Sequence, residues 1–209
     1  MISATVNALF LVMAGLIPVL NPLGAALIAQ SLTPNLDDRE RARLARVVAL
    51  SSFAILVVSV LLGTYILTFF GITVDIMRIA GGCVIAFAGW RLLQAPDVEM
   101  QTAGASPALV ETNAFYPITL PITVGPGSIS VAIALGTDVP DTPSVAYFVG
   151  MGIALVLLAL IVYACMRYVC RLRRMLGAAG GRIVDRLFAF ILFCIGMQLC
   201  WRGISALIG

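Results

Sequence analysis

Pro18-Val19-Leu20-Asn21-Pro22-Leu23-Gly24 and Pro121-Ile122-Thr123-Val124-Gly125-Pro126-Gly127-Ser128 are the stretches that decide how this chain folds. Each lies in the middle of a long apolar run. Proline donates no backbone hydrogen bond and clashes with the preceding turn, at a cost of about 3 kcal/mol or more inside a helix. A helix that crosses lipid meets no water to satisfy the freed groups. A break there is tolerated only where protein or a wet cavity supplies partners. Two interrupted helices at corresponding places in two halves of a chain are the sequence mark of a transporter binding site.

The composition around the breaks fits that setting. Of 209 residues, 61% are hydrophobic and 11% charged, which excludes an ordinary soluble domain. Apolar stretches at 4–32, 45–70, 73–93, 114–135, 144–168 and 183–208 each reach the roughly 20 residues that a crossing needs. The first is too long for one straight crossing, about 43 Å at 1.5 Å per residue. A kinked helix, or two half-helices, is expected there. The N-terminus lacks the basic segment of a signal peptide, so the first span is expected to be retained.

Charge sets the expected orientation. Every basic residue is Arg. Arg39, Arg41, Arg43 and Arg46 follow the first span, and Arg167, Arg171, Arg173, Arg174, Arg182 and Arg186 follow the fifth. Arg91 ends the third on the same side; the opposite side has Arg78 and Arg202. Arg-rich loops stay in the cytoplasm, so both termini are expected outside. Residues 95–113, with Pro96, Gly104 and Pro107, read as a cytoplasmic linker between halves 1–94 and 114–209. Three spans per half make the second half enter from the other side. The expected fold is all-α: six transmembrane helices in two inverted three-helix repeats, with helices 1 and 4 broken near the midplane. Pro22 to Pro126 and Arg78 to Arg186 are nearly equal offsets, as such a repeat requires.

The breaks also supply candidate site residues. New half-helices are expected to begin at Leu23 and Ser128, after Pro22 and Pro126. Their first amides lack intrahelical partners and form positive dipole ends, which suit a carboxylate. Asn21, Thr123, Ser128 and Ser130 offer side-chain hydrogen bonds. Gly24, Gly125 and Gly127 would let a ligand or another helix approach the backbone closely. Arg78 admits two readings, a substrate counter-ion or a snorkelling side chain paired with Asp75. Gln198, a lone polar group in the last span, reads as helix glue. The small residues Ala80, Gly81, Gly82, Ala86, Ala88 and Gly89 read as a packing face within the bundle, with a homo-oligomer seam as the alternative.

Other chemistry is poorly provided for. There is no His, and all ten carboxylates lie in loops or at span ends. Cys83, Cys165, Cys170, Cys194 and Cys200 lack ligand spacing and read as small packing residues. No catalytic constellation, metal or cofactor is expected, and the chain is not read as an enzyme. The net charge of +3 sits at span ends and is no nucleic-acid footprint; the expected partners are membrane lipid and a small solute.

The chain resembles the MarC family of six-span bacterial membrane proteins. The resemblance rests on Asn21-Pro22-x-Gly24, on Phe70-Gly71-Ile72 followed by Met77-Arg78-Ile79-Ala80-Gly81-Gly82, on Pro121-x-x-x-Gly125-Pro126-Gly127, and on Gly196-Met197-Gln198. It covers nearly the whole chain. The family sits in a broader superfamily of amino-acid exporters. The resemblance therefore implies a bacterial inner-membrane secondary transporter or exporter of a small polar metabolite, with a small neutral amino acid as leading substrate. Alternating access around the two breaks would be its mechanism, with H+, Na+ or no coupling ion left open. The alternative is a non-transporting membrane scaffold or assembly factor.

Overall fold

The computed structural model describes residues 2–33, 35–94, 114–137 and 145–208. The linker 95–113 lies outside them, as do Asp138 and Asp141. Among the described residues every regular element is helical: α1 (Ile2–Leu20), α2 (Pro22–Leu32), α3 (Asp38–Phe69), α4 (Val74–Gln94), α5 (Ala114–Thr123), α6 (Pro126–Thr137) and α7 (Val145–Ile208).

The first apolar stretch is two helices, as its length requires. They meet at Asn21, which adopts a left-handed conformation with φ 40°. Asparagine tolerates that region better than other side chains do. Pro22 then opens α2, where its fixed φ fits and its missing N–H costs nothing. The new helix thus starts one residue before the expected Leu23.

α3 begins well before the expected position 45. Asp37 Oδ1 accepts from Glu40 N at 2.7 Å, and Asp37 N donates to Glu40 Oε2 at 2.9 Å. This capping box satisfies two orphan donors and draws Arg39, Arg41, Arg43 and Arg46 into the first helical turns rather than a loop. The expected loop after the fifth span is likewise helical. α7 runs through it, broken only at Gly177, whose φ of 65° suits a residue without Cβ.

The fourth apolar stretch departs most from a simple span. α5 is wound wide, in π-helical fashion, and its Tyr116 and Leu120 are extended (ψ 125° each). Both precede a proline, and the proline ring pushes the preceding residue out of the helical region. Hydrogen bonds reach back five residues: Thr119 Oγ1 to Ala114 O and Thr123 Oγ1 to Ile118 O, both 2.7 Å, and Val124 N to Thr119 O at 2.8 Å. α6 starts at Pro126, two residues before the expected Ser128.

Among the described residues five stretches are long and apolar enough to cross a membrane: Ala4–Gln30, Asp38–Phe69, Val74–Gln94, Val145–Arg171 and Ala189–Ile208. α6 is apolar but shorter. Large apolar side chains such as Phe69, Tyr65, Leu50 and Trp201 face outward from these helices. That is the surface of a protein solvated by lipid.

The bundle has two ends. One gathers both chain termini: Thr5 Oγ1 donates to Ala146 O at 3.0 Å, and Gly203 lies against the backbone of Asp75. The other is the arginine-rich end: Arg167 pairs with Asp38 at 3.4 Å, and Gln30 Nε2 contacts Cys170 Sγ at 3.4 Å. The interior between them holds one apolar cluster around Leu16, Leu20, Leu56 and Leu158, and a second around Ala26, Val48, Ile118 and Val162. α4 and the C-terminal part of α7 pack backbone to backbone. Gly82 meets Gly196 and Cys200, and a Cβ at either glycine would collide. Gly82, of the small-residue face, therefore serves packing within one chain.

Candidate functional site

Both breaks open onto one cavity of about 330 Å³, within the range of small-molecule sites, roughly 300–1,000 Å³. Asn21 and Gly24 line it from the first break, and Thr123, Gly125, Pro126, Gly127 and Ser128 from the second. α4 closes it with apolar side chains, Ile85 and Ala88 among them. Seven of the eleven residues singled out from sequence around the breaks and Arg78 share this space. Pro22 and Leu23 set the turn but do not line it. Arg78 is elsewhere, on a second cavity nearer the end that gathers the termini.

The hydrogen bonds at the breaks define what the cavity offers. Asn21 Oδ1 accepts from Gly24 N at 3.1 Å and so caps α2. The side-chain nitrogen keeps its N–H donors and the oxygen a second lone pair. Ser128 Oγ donates to Gly125 O at 2.9 Å, and Thr123 Oγ1 donates to Ile118 O. Each hydroxyl proton is thus committed to the backbone, and each oxygen keeps lone pairs as acceptors. Ile129 N donates to Gly125 O at 3.1 Å, which closes the first turn of α6. The amides of Gly127 and Ser128 precede that turn and have no intrahelical acceptor. Residues that carry donors for an anionic group and acceptors for an ammonium, Asn21, Thr123, Gly127 and Ser128, line the same space, and no side chain in it is ionised.

Of the two parts expected of the glycines, close approach of the protein itself is the one the packing shows. A Cβ on Gly24 would collide with the Asn21 side-chain amide, and one on Gly127 with Ile85. The room at both positions is already filled by the protein. Their small size permits the cap and the approach of α4, rather than leaving backbone bare for a ligand. Ser130 is buried one turn further along α6, against Gly81, and does not line the cavity.

Arg78 forms an ion pair with Asp75 at 2.8 Å, one turn away on α4. Gln198 does not glue helices through the bundle core. It is exposed on the cavity that Arg78 lines, together with Arg202. Sequence reasoning passed over Arg202. Its spacing of four from Gln198 puts the two on one helix face, and that was the available signal.

Cys83 and Cys200 touch across α4 and α7 with sulfurs 3.6 Å apart. Their packing role is shared with the glycines beside them.

A helical bundle jacketed in apolar side chains, with broken helices around a shared cavity, defines a multi-pass integral membrane protein. The chain belongs to the MarC family: the profile of the MarC family integral membrane protein matches residues 6–208. Among its relatives, inner membrane protein MarC of Salmonella typhimurium is 29% identical over 203 residues, covering 92% of each chain. Inner membrane protein MarC of Escherichia coli is 30% identical, with the same coverage. No solved structure matches the chain.

Proposed function

We propose that this protein is a secondary transporter of a small polar metabolite, with a small neutral amino acid as the leading substrate. The observation that carries the reading is the convergence of two separate helix breaks on one uncharged cavity of about 330 Å³. Its donors, the amides of Gly127 and Ser128 and the Asn21 side chain, suit a carboxylate. Its hydroxyl oxygens suit an ammonium. A zwitterion is thus matched without a charged side chain, and the apolar face of α4 suits a short side chain. Alternating access would move the α4 side of the cavity against the breaks. The coupling ion, H+ or Na+, would be identified by the gradient that drives uptake.

In this reading α5 and α6 together make a sixth crossing, and residues 1–94 and 114–209 form inverted repeats around the breaks. The protein sits in the bacterial inner membrane, as the named relatives do, with both termini outside. Cysteine accessibility should then place positions 41 and 173 inside and position 138 outside. Finding 138 and 41 on the same side would overturn the topology.

One observation favours the rival, a non-transporting scaffold: the room at Gly24 and Gly127 is filled by Asn21 and Ile85. Uptake of labelled glycine, alanine and serine into proteoliposomes separates the two. Saturable uptake that Asn21→Ala weakens supports transport. Parent protein that moves none of the three removes the amino-acid reading.

A further inference from the structure

α4 lines the cavity at the breaks with Val84, Ile85, Ala88 and Leu92. Three of them are exposed and stand at its rim; only Ile85 is buried, at 4% exposure. Its side chain reaches across to α6, where it fills the space that a Cβ at Gly127 would need. Gly127 and Ser128 are the residues whose amides open α6 without an intrahelical acceptor. The one buried side chain that α4 brings to this cavity therefore stands beside the donors that suit a carboxylate. Leu192 of α7, also buried, lines the same space.

The wall that carries Ile85 is fixed in place. Gly82, three residues before it, lies against the backbone of Gly196 and Cys200 on α7. Gly89, four residues after it, lies against the backbone of Ala189 and Phe193. A Cβ at either glycine would collide with that backbone. α4 is thus held to α7 on both sides of Ile85, about one turn away in each direction. It cannot bow outward at Ile85 without parting from α7. Packed interiors resist such deformation, so a larger group on the α6 amides would meet a wall that does not yield. An isoleucine is also stiff at its first torsion, which leaves the side chain little freedom to turn aside.

We propose that Ile85 is the residue that sets the upper size of the substrate side chain. This rests on the transport reading of the cavity and deepens it. A zwitterion with its carboxylate on the Gly127 and Ser128 amides has its side chain next to Ile85. Glycine, alanine and serine fit there; valine and leucine do not. An apolar wall without an ionised group also disfavours aspartate and lysine, whose charges would be buried unpaired.

The test is equilibrium binding of labelled glycine, alanine, serine, valine and leucine to the full-length protein in nanodiscs. The parent should bind alanine roughly ten- to a hundredfold more tightly than valine, the range over which an apolar pocket discriminates by methylene groups. Ile85→Ala should tighten valine and leucine by roughly tenfold or more and leave alanine little changed. Ile85→Val removes one methylene group and disturbs packing least. It should shift the same ratio in the same direction by a few-fold, and it serves where Ile85→Ala does not fold. Ile85→Phe should weaken alanine more than glycine. Leu50→Ala, on the outward face of α3, should leave every ratio as in the parent. A gain in valine affinity is a readout that mere loss of packing does not produce. If the parent binds alanine and valine alike, or if neither folded Ile85→Ala nor Ile85→Val gains valine, Ile85 does not set the size limit, while the transport reading stands. If the parent binds none of the five, the transport reading fails and the role of Ile85 fails with it.

Discussion

The two breaks reach the same cavity by different means. The first takes one residue. Asn21 turns left-handed, its side chain caps the new helix at Gly24 N, and the ladder resumes at once with Ala25 N donating to Asn21 O at 2.9 Å. The second takes a whole segment. Extended residues before each proline spread the turns of α5, and two threonine hydroxyls return to carbonyls five residues back. The first break is a sharp corner held by one side chain. The second is a loosened helix held by two threonine hydroxyls. A membrane-buried break needs only that its freed groups find partners, and one asparagine or a row of threonines does this equally well.

The comparison can be broken in several ways, and the largest effect belongs to the second break. Gly127→Leu should drive a side chain into Ile85 and cost about 3 kcal/mol, as overpacking of a tight core does. Thermal unfolding in detergent measures it. Pairing it with Ile85→Ala should recover much of the loss; no recovery would mean that α4 does not rest on this glycine.

Next comes the corner at Asn21. Asn21→Ala removes the cap and places a Cβ residue in the left-handed region, a combined cost of about 2 kcal/mol. Asn21→Gly keeps the conformation easy and should cost only a few tenths of a kcal/mol. Equal melting points for the two variants would show that the corner is not left-handed in the membrane.

A smaller effect is expected at Thr123, whose side chain is 1% exposed. Thr123→Val keeps the shape and loses one hydrogen bond, worth about 1 kcal/mol. The loss should appear as a lower melting point and as faster amide exchange in α5. Unchanged exchange would mean that the wide turns hold without the hydroxyl.

The smallest is at Ser128. Ser128→Ala removes the bond to Gly125 O and should cost about 0.5 kcal/mol, the low end for a hydrogen bond. In the transport reading it also removes one acceptor from the cavity. A change in amino-acid affinity larger than the change in melting point would separate that role from the structural one.

Much of this architecture was legible along the chain. Apolar runs of spanning length, charge confined to their ends, and prolines inside two of them require helices, a membrane and two breaks. Those are consequences of local chemistry: an unpaired backbone group in lipid has nowhere else to go. Asn21, Gly24, Thr123, Gly125, Gly127 and Ser128 could be named for the same reason. Their neighbourhood could not. Only packing brought both breaks to one cavity, moved Arg78 to another beside Arg202 and Gln198, and filled the space at Gly24 and Gly127 with Asn21 and Ile85. Sequence spacing specifies which residues share a face of one helix. Which face of which other helix it meets depends on side-chain shapes fitting across elements that lie far apart in the chain.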